Sequence, residues 1–103
     1  MKTNKTKITR SSGDVFSDLG FGNEEAEHLQ IRSTLMIAVQ NIIDERQLTQ
    51  ADAAKLFGVT QPRISDLVRG KIELFSIDML VTMLARGGVH LEIVLSPAQQ
   101  GAA

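Results

Sequence analysis

Between Gln61 and Lys71 the chain reads QPRISDLVRGK, a short run carrying an amide, two guanidinium groups, a carboxylate and an ammonium. Written on a helix, Ile64, Leu67 and Val68 fall on one side, and Gln61, Arg63, Asp66 and Arg69 are spread around the rest. Such groups donate, accept and carry charge, so their chemistry is either recognition of a polar partner or plain solvation. Bond-making chemistry has no comparable set. Ser33, Ser65 and Thr82 have no evident base partner, and no nucleophile elbow or phosphate-cradling loop is present. His28 and His90 stand in separate segments, and the chain has no cysteine, so neither a metal site nor a disulfide is expected. No catalytic residue, cofactor or enzyme activity is predicted.

The elements that must position this run are legible on both sides of it. Thr49 can cap a helix with Asp52 three residues on, and Gly58 ends that helix where a backbone without Cβ turns back freely. Thr60 caps the next helix, Pro62 stiffens its first turn, and Gly70 stops it near Arg69. Ala54 must be small where the second helix crosses, Val59 fills the corner, and Ile64 and Leu67 face Ala53 and Phe57. Gln50, Ala54, Gly58, Ile64 and Leu67 thus occupy relative positions 1, 5, 9, 15 and 18. That is the spacing of a helix-turn-helix, whose second helix is offered to a major groove.

Further out, Asn23 caps a long helix that begins with Glu24, Glu25 and Glu27, acids suited to the positive helix end. Its stripe is Ile31, Leu35, Ala38 and Ile42, widened by Val39 and Ile43, and it ends near Arg46 or Gln47. Ser76 caps a last helix with Ile77, Leu80, Val81 and Leu84 inward, stopped by Gly87-Gly88. VHLEIVL, residues 89–95, reads as a β-strand. A lone strand leaves its edges unpaired, so pairing with a second copy through Val89, Leu91, Ile93 and Leu95 is expected. The expected organisation is a flexible basic arm (1–13), one domain (14–95) that includes a docking turn around VFSDLGF, and a tail (96–103).

At 103 residues, 43% hydrophobic and only 4% aromatic, the chain fits one mainly helical domain with an aliphatic core. No apolar run approaches the roughly 20 residues of a membrane span, and the first segment lacks the apolar stretch of a signal peptide. The net charge of −1 conceals segregation. Lys2, Lys5, Lys7 and Arg10 stand without an acid, Asp14, Asp18, Glu24, Glu25 and Glu27 stand without a base, and residues 48–71 are net basic. Local surfaces therefore matter more than the total.

LTQADAAKLFGVTQPRISDLVRG, Leu48 through Gly70, resembles without a gap the DNA-binding segment of the Xre family, the Cro/cI-type phage and bacterial repressors. The wider order is VFSDLGF, a long helix with IRSTLMIAV, the motif, and terminal VHLEIVL. Over about residues 14–95 it is similar to HigA-type antitoxins of type II toxin–antitoxin systems. The resemblance implies a Cro/cI-like helical bundle with one C-terminal strand paired across a dimer. It also implies roles. Gln50 would bond a phosphate and brace the reading helix. Thr60 and Gln61 would open that helix toward DNA, and Gln61 could pair bidentately with adenine. Arg63 would reach guanine or phosphate, while Arg69 and Lys71 would clamp phosphates. Pro62 replaces a residue that is often polar in these repressors, leaving apolar contact with a thymine methyl. Asp66 could accept from a cytosine amino group, repel wrong sites, or pair with Arg63 or Arg69.

The function implied is sequence-specific repression from an inverted-repeat operator in double-stranded DNA, by a cytoplasmic, nucleoid-associated homodimer. It includes neutralisation of a cognate protein toxin. Two alternatives stay open: a phage-type or metabolic repressor without a toxin, and a protein-interaction module on the same fold. No membrane partner is implied.

Overall fold

The computed structural model describes residues 23–97; the basic arm, the whole VFSDLGF turn and the end of the tail lie outside them. Helix α1 spans Asn23–Glu45, α2 Gln50–Phe57, α3 Gln61–Val68 and α4 Ile77–Arg86, with a 3₁₀ turn at Ile72–Leu74 between the last two. At 1.5 Å per residue α1 is about 35 Å long. It acts as the spine. It lies against α4 and touches α3 and the 3₁₀ turn, while α2 packs on α3 and α4.

The three expected hydroxyl caps form. Thr49, Thr60 and Ser76 accept from the amides of Asp52, Arg63 and Met79 at 3.0, 3.3 and 3.1 Å. Each caps an amide of the first helical turn, and the Arg63 amide is shared with the Thr60 carbonyl at 3.1 Å. The helix ends share a second device, a left-handed residue: Gln47, Gly58, Gly70 and Gly88 have φ of 52°, 73°, 75° and 87°. After α1, Leu48 donates to the Ile43 carbonyl and Gln47 to that of Asp44, both bonds of a Schellman motif. The same pair of bonds follows α3, from Lys71 to Asp66 and Gly70 to Leu67, and α4, from Val89 to Leu84 and Gly88 to Ala85.

One apolar core joins the four helices. Leu35, Met36, Ala38, Val39 and Ile42 come from α1, Ala53, Ala54 and Phe57 from α2, and Ile64 and Leu67 from α3. Phe75 and then Leu80, Met83 and Leu84 of α4 complete it. Ile31, Ile43 and Val59 pack against it half-buried.

Two inward assignments fail. Val81 is 38% exposed while Met83 is buried. Helical residues advance about 100°, so Leu80, Met83, Leu84 and position 87 make a stripe whose centre lies well away from Val81. Gly87 continues that stripe: it is buried, and a Cβ there would stand 2.8 Å from the Phe57 ring, so only bare backbone fits at this end. Val68, the last residue of α3, is 49% exposed, and only Ile64 and Leu67 of that helix are buried.

The β-strand is not formed among the described residues. Residues 89–97 carry only an isolated bridge position at Ile93. Val89 and Leu91 pack on the core as ordinary intrachain contacts, whereas Ile93, Val94 and Leu95 are exposed. A strand's hydrogen bonds need a neighbouring strand, and the described helices offer none.

Candidate nucleic-acid interface

Helix α3 is held proud of the domain from one side. Ile64 and Leu67 are fully buried against α2, whose Ala53 and Ala54 leave room for a close crossing. Gly58 and Val59 both donate to the Ala54 carbonyl, which closes the turn between the two helices. At the far end the Gln40 amide of α1 donates to the Leu67 carbonyl at 2.8 Å. With both ends fixed, the residues opposite Ile64 and Leu67 project outward.

That outward side carries Gln61, Pro62, Ser65, Asp66 and Arg69. Gln61, Ser65 and Arg69 fall at i, i+4 and i+8, a single row along the helix. Gln61, Pro62 and Arg69 are exposed; Ser65 and Asp66 are half-buried. Ser65 is a position the motif reading did not assign, although its spacing of four from both Gln61 and Arg69 could have found it. Asp66 forms no ion pair with Arg63 or Arg69 among the described residues, so its carboxylate is available to a partner.

The other assigned residues are spread around this row. Gln50 opens α2 and is exposed. Thr60 is exposed, with its hydroxyl oxygen accepting from the Arg63 amide. The start of α3 offers fewer free amides than an ordinary helix end, because Pro62 has none and that of Arg63 bonds Thr60. Lys71 is half-buried just past the helix. Arg63 lies on the flank, about 100° before Ile64, and its guanidinium is engaged. Its Nη1 donates to the Leu74 carbonyl at 3.2 Å, and its central carbon stands 5.5 Å from the centroid of the Phe75 ring. Val89, Leu91, Ile93 and Leu95 are remote in role, divided as described between the core and the exposed chain end.

The arrangement is a convex polar ridge rather than a cleft. A shallow groove of about 570 Å³ is lined by His28, Arg32, Leu74, Phe75, Asp78 and Met79, and the outward row of α3 contributes nothing to it. Among the described residues no group of His, Asp or Glu could hold a metal ion. No described helix is long and apolar enough to cross a membrane. Planar amide and guanidinium groups along a protruding helix suit the edges of stacked bases and the phosphates beside them.

Comparison with known proteins agrees with that geometry. The family model described as a helix-turn-helix domain matches residues 15–96. Among solved structures, one described as "Putative XRE Family Transcriptional Regulator" is similar, with 35% sequence identity and a TM-score of 0.68. The likeness covers 77% of this chain and 89% of that one. No curated protein matches significantly.

Proposed function

We propose, from the premise that this chain belongs to the helix-turn-helix domain family, that it binds double-stranded DNA sequence-specifically and regulates transcription as a dimeric repressor. The observation that carries the reading is the polar row Gln61, Ser65 and Arg69 on a helix whose opposite side, Ile64 and Leu67, is wholly buried. Gln61 presents paired donor and acceptor groups to a base edge, and Pro62 offers an apolar surface to a thymine methyl. Arg69, Lys71 and Gln50 neutralise or bond phosphates on either side, with the Thr60 hydroxyl at the helix start. The similar solved protein, described as a regulator of transcription, supports the regulatory role.

An inverted repeat with half-sites about 34 Å apart, one helical turn, is the operator such a dimer reads. The exposed Ile93–Leu95 segment supports dimerisation, because a second copy supplies the missing strand edge. Selection of duplexes from a random library tests the reading directly. An enriched palindromic motif, bound with an affinity that falls steeply with salt, is the expected result. Absence of any duplex binding at low salt would favour a protein-interaction module instead.

The order of elements that resembles HigA-type antitoxins supports a second activity, neutralisation of a basic toxin encoded in the same operon. The exposed carboxylates Glu24 and Glu25 at the start of α1 give such a partner a complementary charge. Co-purification from the native host decides this point. A small basic protein recovered with the chain supports the antitoxin; DNA alone supports a repressor without a toxin. DNA as partner supports a location in the cytoplasm, associated with the nucleoid.

A further inference from the structure

Arg63 stands in the recognition helix, yet its guanidinium points at the protein. One N–H reaches the Leu74 carbonyl at 3.2 Å, and the group lies over Phe75, 5.5 Å from the ring centroid. Phe75 is a fully buried core residue, so this platform is fixed. A guanidinium over an aromatic face gains electrostatically, and the charged donor strengthens its bond to the carbonyl. The same turn is also held by Arg32 of α1, whose Nη1 donates to the Ile72 carbonyl at 3.4 Å. The segment between α3 and α4 is thus held by two guanidinium groups, one from α1 and one from α3. That segment begins with Lys71.

We infer that Arg63 is a positioning residue, not a base reader: it fixes the Gly70–Phe75 turn against α3 and so sets where Lys71 meets a DNA phosphate. The inference rests on the DNA-binding reading proposed above. A fork committed to Leu74 and Phe75 is unavailable for bidentate contact with guanine, which needs the group outside the helix flank. Recognition then belongs to the outward row, and Arg63 contributes to affinity alike on every sequence.

The test compares wild type, Arg63→Ala, Arg63→Lys, Lys71→Ala and the double variant Arg63→Ala/Lys71→Ala. Each is measured on the duplex enriched by wild type and on an unrelated duplex. Arg63→Ala should weaken binding to both by about tenfold while the motif it selects stays unchanged. On the Lys71→Ala background the further loss should shrink below about twofold, the limit of ordinary additivity. Arg63→Lys, which keeps a cation and a donor for Leu74, should recover most of the affinity. It also covers the case in which the alanine variant fails to fold.

A relaxed preference at one base pair in Arg63→Ala would make Arg63 a base reader and overturn the inference. Full additivity with Lys71→Ala, with a salt slope lower by about one further unit, would show direct phosphate contact and overturn it too. So would a folded Arg63→Ala with undiminished affinity. A wild-type chain that enriches no duplex removes the DNA reading itself, a failure visible before any variant is made.

Discussion

The side-chain amide of Gln40 donates to the backbone carbonyl of Leu67 at 2.8 Å, joining the last third of α1 to the last turn of α3. A helix leaves its final carbonyls without partners in the helix itself; that of Leu67 accepts from the Gly70 amide of the helix stop, and Gln40 adds a second donor from another element. Arg46 likewise donates to the Gly87 carbonyl after α4, at 3.1 Å. The long helix therefore holds the domain by polar contacts with chain ends as well as by its apolar stripe.

Gln40→Ala should lower stability by about 1 kcal/mol, the usual net worth of one intramolecular hydrogen bond. A denaturant titration checks it: the midpoint falls while the slope stays constant. An unchanged midpoint would mean water replaces Gln40 at no cost.

Gln47→Gly should raise stability by about 1 kcal/mol. Gln47 sits at φ 52° with an exposed side chain, in the left-handed position where the other three helices have glycine. Glycine removes that Cβ strain, which outweighs its added freedom in the unfolded chain. Thermal unfolding of the two proteins decides the sign.

Gly87→Ala should destabilise by about 1–3 kcal/mol through overpacking, since its Cβ would meet Phe57 at 2.8 Å. Position 87 has φ −80°, so the cost is steric and not conformational. Phe57→Leu should therefore absorb part of it, and a double-mutant cycle that came out additive would contradict the contact.

Gln61→Ala and Arg69→Ala should each cost about 1–3 kcal/mol of operator affinity, the first by loss of a base contact and the second by loss of a charged phosphate bond. Both residues are exposed, so the thermal midpoint should stay within the small range of surface changes. A gel shift showing undiminished binding by the double variant would refute the assignment of this row.

Ile93→Asp combined with Leu95→Asp should convert a dimer to a folded monomer, measured by sedimentation. Leu95 is 88% exposed, so the charge meets no core. Val89→Asp should instead unfold the domain, because Val89 packs against the core. A variant at 93 and 95 that still sediments as a dimer would move the interface elsewhere.

Local chemistry made much of this domain legible. Caps at Thr49, Thr60 and Ser76 and stops at Gly58, Gly70 and Gly88 depend on one residue's side chain or φ, so they can be read without a fold. Ile64, Leu67, Ala53 and Phe57 followed from the spacing of apolar residues in two short helices joined by a tight turn. The errors fell where a helix's rotation depends on a distant partner. Val81 turns outward and Met83 inward because α4 is rotated to bury Leu80, Met83 and Leu84 together, with the bare backbone of Gly87 against Phe57, thirty positions away.

By itself, then, the sequence determined the helices, their ends, and the motif that offers Gln61 and Arg69 to a partner. Those are matters of periodicity and of backbone freedom at single residues. Only the tertiary structure decided the state of the remaining groups. It brought Leu74 and Phe75 beside α3 and so turned Arg63 inward. It also divided VHLEIVL into a docked half and an exposed half. Which hydrogen bonds a long side chain makes, and whether a strand forms, depends on groups that only folding brings near.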